Sequence, residues 1–104
     1  MMEQDIRAVL DGLTLLVGDT KEASQLDAMR NYAAIMVLCA DLRRSADEYK
    51  GTRNITMVTS ELENHMAAVA GLFPTWDLPT DQHLSGAYAA ISKLAMGTCF
   101  GLAV

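Results

Sequence analysis

The chain is poor in aromatic residues and in positive charge, and both shortages narrow the fold and the range of partners. Aromatic side chains make up 6% of the 104 residues, while seven methionines join alanine and leucine in the apolar set. That composition favours helices over strands. Eight basic residues against thirteen acidic ones give a net charge of −5. This charge argues against direct binding to a nucleic-acid backbone and favours basic or neutral protein partners.

Cysteines are few, and export signals and membrane-length apolar runs are missing. Cys39 and Cys99 each lie in an apolar run, where a reduced thiol behaves as a small hydrophobic side chain. The chain starts with acidic residues where a secretory signal carries basic ones. Lys93 divides the apolar stretch 84–104 into pieces shorter than the roughly 20 residues that a membrane span requires. We therefore expect a cytoplasmic protein that does not enter a membrane.

The sequence also lacks catalytic, nucleotide-binding and metal-binding motifs. His65 follows Glu61 by four residues, so both fall on one helical face and would offer two metal ligands, but two ligands do not complete a site. His83 lies near the predicted start of a helix, and we interpret it as a partial cap. The sequence thus predicts no catalytic residue, no metal and no cofactor.

Apolar residues at helical spacing are abundant. Hydrophobic residues make up 51% of the chain, whose length suits a single core. In the first segment they recur every three or four positions, at Ile6, Val9, Leu10, Leu13, Leu16 and Val17. In the third and fourth segments the predicted core positions are Ile55, Val58, Leu62, Met66, Val69 and Phe73, followed by Leu84, Tyr88, Ile91, Ala95, Thr98 and Leu102. The pattern predicts an all-α, single-domain four-helix bundle, with helices over about 2–17, 20–50, 54–72 and 81–102.

The second helix is predicted to be the longest element, long enough to bend. Gly18 would end the helix before it, and Asp19 with Glu22 would form its capping box. Its middle, residues 32–40, is apolar all the way round, so we expect neighbouring helices to cover it on several sides. At its end, we expect Arg43 and Arg44 to pair with the acidic residues four positions further along, Asp47 and Glu48.

Two surfaces are candidates for binding a partner. The first is acidic and includes Asp11, Asp19, Glu22 and Asp27; complementary charge would speed its docking on a basic, nucleic-acid-binding protein. The second is the turn that holds Phe73 and Trp76. If exposed, these side chains would anchor a partner, and if buried, they would plug one end of the bundle. The plug is favoured, because a small core rarely leaves its only tryptophan in water.

The sequence therefore supports three functional hypotheses. The first is a small acidic, non-enzymatic interaction protein that acts as an inhibitor or accessory factor. Anti-CRISPR proteins and antitoxins often have this size and acidity, but no motif assigns the chain to a family. The second is a self-associating structural subunit, built on surplus apolar surface of helix two or on the small residues of helix four. A metal-binding or enzymatic bundle comes third.

Overall fold

A computed structural model of the protein describes residues 3–45, 52–72 and 78–95. It contains four α-helices, α1 (Glu3–Thr20), α2 (Gln25–Ser45), α3 (Thr52–Val69) and α4 (Thr80–Ala95). In this bundle α1 packs against α2 and α4, and α3 packs against the same two helices. The four helices thus close around one core, and the predicted all-α four-helix bundle is confirmed.

The core is formed by one apolar face of each helix. Among its largest fully buried side chains are Ile6, Leu13, Ile35, Leu42, Ile55, Leu62, Met66 and Leu94. The spacing predicted for α1 and α3 is confirmed, since every predicted core position in the described part of these helices is buried or packs against the buried cluster. Phe73 lies outside the described residues. Water therefore drives these two amphipathic helices into the bundle through the faces that their sequences mark.

The turn between α1 and α2 begins later than the sequence predicts. α1 continues through Gly18 to Thr20, whose hydroxyl donates a hydrogen bond to the Leu16 carbonyl at 2.7 Å. Thr20 is 3% exposed, so packing holds this last turn in the helix. The predicted capping box of Asp19 and Glu22 is wrong: Ser24 caps α2, because its Oγ accepts the N–H of the third residue along, Asp27, at 3.2 Å.

The core face of α4 is displaced from the predicted one. Tyr88 and Ala95, two predicted core residues, are exposed, while Ala87, Ala90 and Leu94 are buried beside the correctly predicted Leu84 and Ile91. Alanine side chains at the contact permit a short distance between helices. The core face of α4 therefore combines Leu84, Ile91 and Leu94 with the smaller Ala87 and Ala90. The predicted continuations of α2 beyond residue 45 and of α4 beyond residue 95 lie outside the described residues.

None of the described helices combines the length and the apolar character that crossing a lipid bilayer demands.

Candidate functional site

The four predicted acidic binding residues are all exposed, but they do not form one compact site. Asp19 lies in the last turn of α1, Glu22 in the following turn of chain and Asp27 in the first turn of α2. These three share one end of the bundle. Asp11 lies eight residues before Asp19 on α1, about 12 Å away along the helix axis. Asp27 also forms an exposed ion pair of 3.7 Å with Arg30.

A small open cleft occupies the same end of the bundle. It has a volume of about 210 Å³ and is lined by Lys21, Asp81, Leu84, Ser85 and Tyr88. Ligand pockets usually occupy about 300–1,000 Å³, so this cleft is small for a metabolite. Lys21 and Asp81 carry opposite charges, so the cleft has no strong net charge. Phe73 and Trp76, the predicted anchor or plug, lie outside the described residues.

Two histidines meet between α3 and α4. The Nδ1 atoms of His65 and His83 are 3.1 Å apart, and the ring centroids are 5.4 Å apart. One ring must therefore donate its Nδ1–H while the other accepts with a bare nitrogen, so at least one ring is neutral. The sequence interpretation of His83 as a partial cap of α4 did not include this contact: His83 is 2% exposed and its ring reaches His65 of α3.

The environment of His65 opposes its protonation. Burial is the main cause that lowers its pKa, followed by the nearby His83, whereas the carboxylate of Glu61 acts in the opposite direction. The ring also depends on Gly86 of α4, since a Cβ atom at that position would fall inside contact distance of three ring atoms. Across residues 3–45, 52–72 and 78–95, no three His, Cys, Asp or Glu side chains group closely enough to hold a metal ion.

A second polar cluster links α2 to α3 and contributes to the packing of these two helices. Nη1 of Arg43 donates to Oε1 of Glu63 at 2.6 Å and to Oγ1 of Thr59 at 3.2 Å. Arg43 thus bridges to α3, and its predicted partner Asp47 lies outside the described residues. Arg44 pairs with Asp41, one turn before it. Burial and the adjacent Glu63 raise the pKa of the Cys39 thiol to about 12, so this cysteine is protonated and a poor nucleophile at neutral pH.

The largest departure from the sequence prediction is on the outward face of α2. The buried apolar face of this helix consists of Ala28, Ile35, Cys39 and Leu42, and the partly buried Tyr32 and Leu38 pack against the same core. A second set of apolar residues faces away from it, and we call this set the α2 outward stripe. Its members are Leu26, Met29, Ala33, Met36, Val37 and Ala40; Leu26 is 57% exposed and Val37 63%, while Ala40 is half-buried.

The expectation that neighbouring helices cover α2 on several sides is therefore wrong. Within the described residues, the main neighbours of α2 are α1 and α3, and the large side chains of the outward stripe are exposed. The signal was present in the sequence: Leu26, Met29, Ala33, Met36 and Ala40 follow steps of three, four, three and four. That spacing places them along one side of a helix. The continuous apolar run of residues 32–40 masked two separate stripes.

Comparison of the chain with protein-family models, with curated proteins and with solved structures finds no match. The function must therefore be inferred from the surface and the side chains described above.

Proposed function

We propose that this chain is a non-enzymatic interaction protein that binds another protein chain through the α2 outward stripe. The single observation that carries the proposal is the continuity of this stripe, which runs from Leu26 to Ala40 on one side of a regular helix. Those positions span about 21 Å along the helix axis. An amphipathic helix that presents an apolar side to solvent is a common element of protein recognition.

The pattern of exposure distinguishes the stripe from ordinary exposed apolar residues. Single apolar side chains on a surface are normal, whereas a contiguous row is a feature of interaction sites. Leu15, Met57 and Tyr88 are also exposed, but they lie one each on α1, α3 and α4. In contrast, α2 contributes four large exposed apolar side chains, Leu26, Met29, Met36 and Val37. Covering them would remove apolar surface from water at a gain of roughly 25 cal/mol per Å².

The side chains of the types that enzymes use in catalysis support the proposal of a non-enzymatic protein. His65 and His83 contact each other between two helices, and Cys39 is buried with a pKa raised to about 12. Arg43 of α2 donates hydrogen bonds to Glu63 and Thr59 of α3. These groups contribute to helix packing, and the α2 outward stripe remains the feature that helix packing does not explain.

The exposed acidic residues form a second surface, which favours a basic partner. With a net charge of −5 and with Asp19, Glu22 and Asp27 exposed near one end of α2, the protein would attract a basic partner. Such charges mainly speed association, and salt weakens their effect. This supports an inhibitor or accessory factor that engages a nucleic-acid-binding protein through its acidic end, separately from the α2 outward stripe.

Affinity capture with the tagged protein tests the proposal. We expect Met36→Glu combined with Val37→Glu to reduce binding of any specifically captured protein at least about tenfold, because binding would bury unpaired carboxylates. The matched control is Met57→Glu, which places the same charge at a 54% exposed apolar residue of α3. Reversal of Asp19, Glu22 and Asp27 to lysine tests the acidic surface separately. Equal capture by the stripe variant and the wild type would contradict the proposal.

A further inference from the structure

We infer that the α2 outward stripe binds a second copy of this chain, with the two α2 helices antiparallel and a twofold axis near Ala33. This inference rests on the proposed function, since it names the occupant of the same surface. The charge pattern of α2 bears on which partner can bind there. α2 carries three arginines, Arg30, Arg43 and Arg44, against two aspartates, Asp27 and Asp41. It is the only one of the four described helices in which basic residues outnumber acidic ones.

That local charge makes α2 a poor binding surface for a strongly basic partner. α1, by comparison, carries four acidic residues and one arginine. Along α2 the charge is also polarised. Glu22 and Asp27 lie exposed at its beginning, and the exposed Arg44 lies in its last turn, where Arg43 is already bound to Glu63 of α3. Two antiparallel copies therefore place Arg44 of each helix beside Glu22 of the other, and their helix dipoles are opposed as well.

Most of the stripe also matches itself when it is reversed. With a twofold axis at Ala33, Leu26 of one copy lies at the level of Ala40 of the other, and Met29 lies at the level of Val37. Met36 lies at the level of Arg30, whose aliphatic stem it would cover. Leu26 and Met29 thus face smaller side chains along the contact. Such alternation lets two helices interdigitate at a distance of about 8–10 Å. An isologous contact of this kind closes after two copies.

The expected dimer is modest in strength. A contact between two helices of 21 residues, each about 30 Å long, buries on the order of 1,000 Å² in total, at the lower end of specific interfaces. Methionine side chains adapt their shape at such contacts. We therefore expect micromolar dissociation, and the acidic ends of both copies remain free in this arrangement.

Sedimentation of the full chain from low micromolar to near-millimolar concentration tests the inference. We expect a reversible shift from 11.3 kDa to twice that mass. Met36→Glu combined with Val37→Glu should abolish the shift, whereas Met57→Glu should preserve it. Arg44→Glu should weaken the dimer several-fold, and adding Glu22→Lys should restore it, because these residues lie at the same level in opposite copies. A monomer at every concentration, or a dimer that the stripe variant leaves intact, would overturn the inference.

Disulfide formation between introduced cysteines tests the orientation, in a Cys99→Ser background so that the second native cysteine does not react. A mixture of Leu26→Cys protein and Ala40→Cys protein should form the mixed disulfide faster than either protein forms its own. A parallel dimer would give the opposite order and would overturn the antiparallel assignment. A monomeric chain whose capture of another protein still depends on the stripe would refute the second copy and leave the proposed function standing. Loss of both stripe effects would refute both.

Discussion

At the level of single residues, the contact between His65 and His83 couples protonation to the packing of α3 against α4. The two Nδ1 atoms are 3.1 Å apart, and protonation of both rings would place two positive charges at hydrogen-bond distance. Glu61 is one turn from His65 and partly offsets this repulsion, but it is also engaged with Lys93 of α4 at 3.2 Å. The interface thus tolerates neutral imidazole better than imidazolium.

We predict that acidification destabilises the fold through His65. Its pKa in the folded protein lies below the value of about 6.5 that it has in an unfolded chain. Between those two values the unfolded state binds more protons, so the free energy of unfolding falls as the pH drops below about 6.5. His65→Gln should reduce this pH dependence. Urea unfolding of both proteins between pH 8 and pH 5 measures it, and carboxylates that titrate in both proteins cancel in the comparison. Identical pH profiles would contradict the prediction.

At the level of elements, the end of α3 depends on one glycine. Gly71 has a φ of 77°, in the left-handed region that residues with a Cβ atom avoid. The N–H of Leu72 donates to the Ala67 carbonyl at 2.9 Å, and the N–H of Gly71 donates to that of Ala68 at 3.1 Å. This pair of bonds is a Schellman motif. The side-chain amide of Gln25, the first residue of α2, donates a hydrogen bond to the Ala70 carbonyl at 3.2 Å. This bond links the Schellman motif to the start of α2.

Gly71→Ala should therefore destabilise the protein by about 1–2 kcal/mol from the left-handed backbone alone. The new Cβ would also lie 2.6 Å from Nε2 of Gln25. The matched control is Gly12→Ala in the middle of α1, where the Cβ would make an ordinary contact with Leu38 at 3.5 Å. This control should stabilise the protein by up to about 1 kcal/mol. Chemical denaturation measures both, and effects of the same sign would contradict the assigned geometry.

The buried faces of α1 and α3 were predictable from the sequence, whereas those of α2 and α4 were predictable only in part. α1 and α3 each bear one apolar stripe, so the period of three to four residues identified their buried sides. α2 bears two stripes, and no local signal says which one the bundle buries. α4 packs through Ala87 and Ala90, whose small side chains give a weak signal beside Tyr88. In both cases the choice is made by neighbouring helices, which sequence periodicity does not identify.

At the level of the whole molecule, the contacts that define candidate sites join distant parts of the chain. His65 meets His83, Arg43 meets Glu63 and Gln25 reaches Ala70. None of these pairs follows from helical spacing, because each depends on which helices become neighbours. The four acidic candidate residues are exposed, and their division between the end of the bundle and the middle of α1 depends on the fold. The sequence thus supplied residue types, and the packing supplied their partners.

Because α2 has a buried and an outward face, substitutions on the two faces should change the stability of the whole bundle by different amounts. Ile35 is fully buried, and Val37, two residues along, is 63% exposed. Ile35→Ala should cost about 2–5 kcal/mol, since it removes core contacts and leaves a cavity. The free energy of unfolding of such proteins is roughly 5–15 kcal/mol, so this loss would be a large share of it. Val37→Ala should cost less than about 0.5 kcal/mol at concentrations where the chain is monomeric.

Urea denaturation at low concentration measures both substitutions, and repeating it at high concentration adds a second test. The wild type and Ile35→Ala should gain stability with concentration, because dimerisation favours the folded chain by mass action. Val37→Ala should gain less, since it trims the contact between copies and leaves the core intact. Equal costs for the two substitutions at low concentration would mean that both faces of α2 are covered within one chain. In that case the α2 outward stripe would belong to the core, and neither a partner nor a second copy could use it.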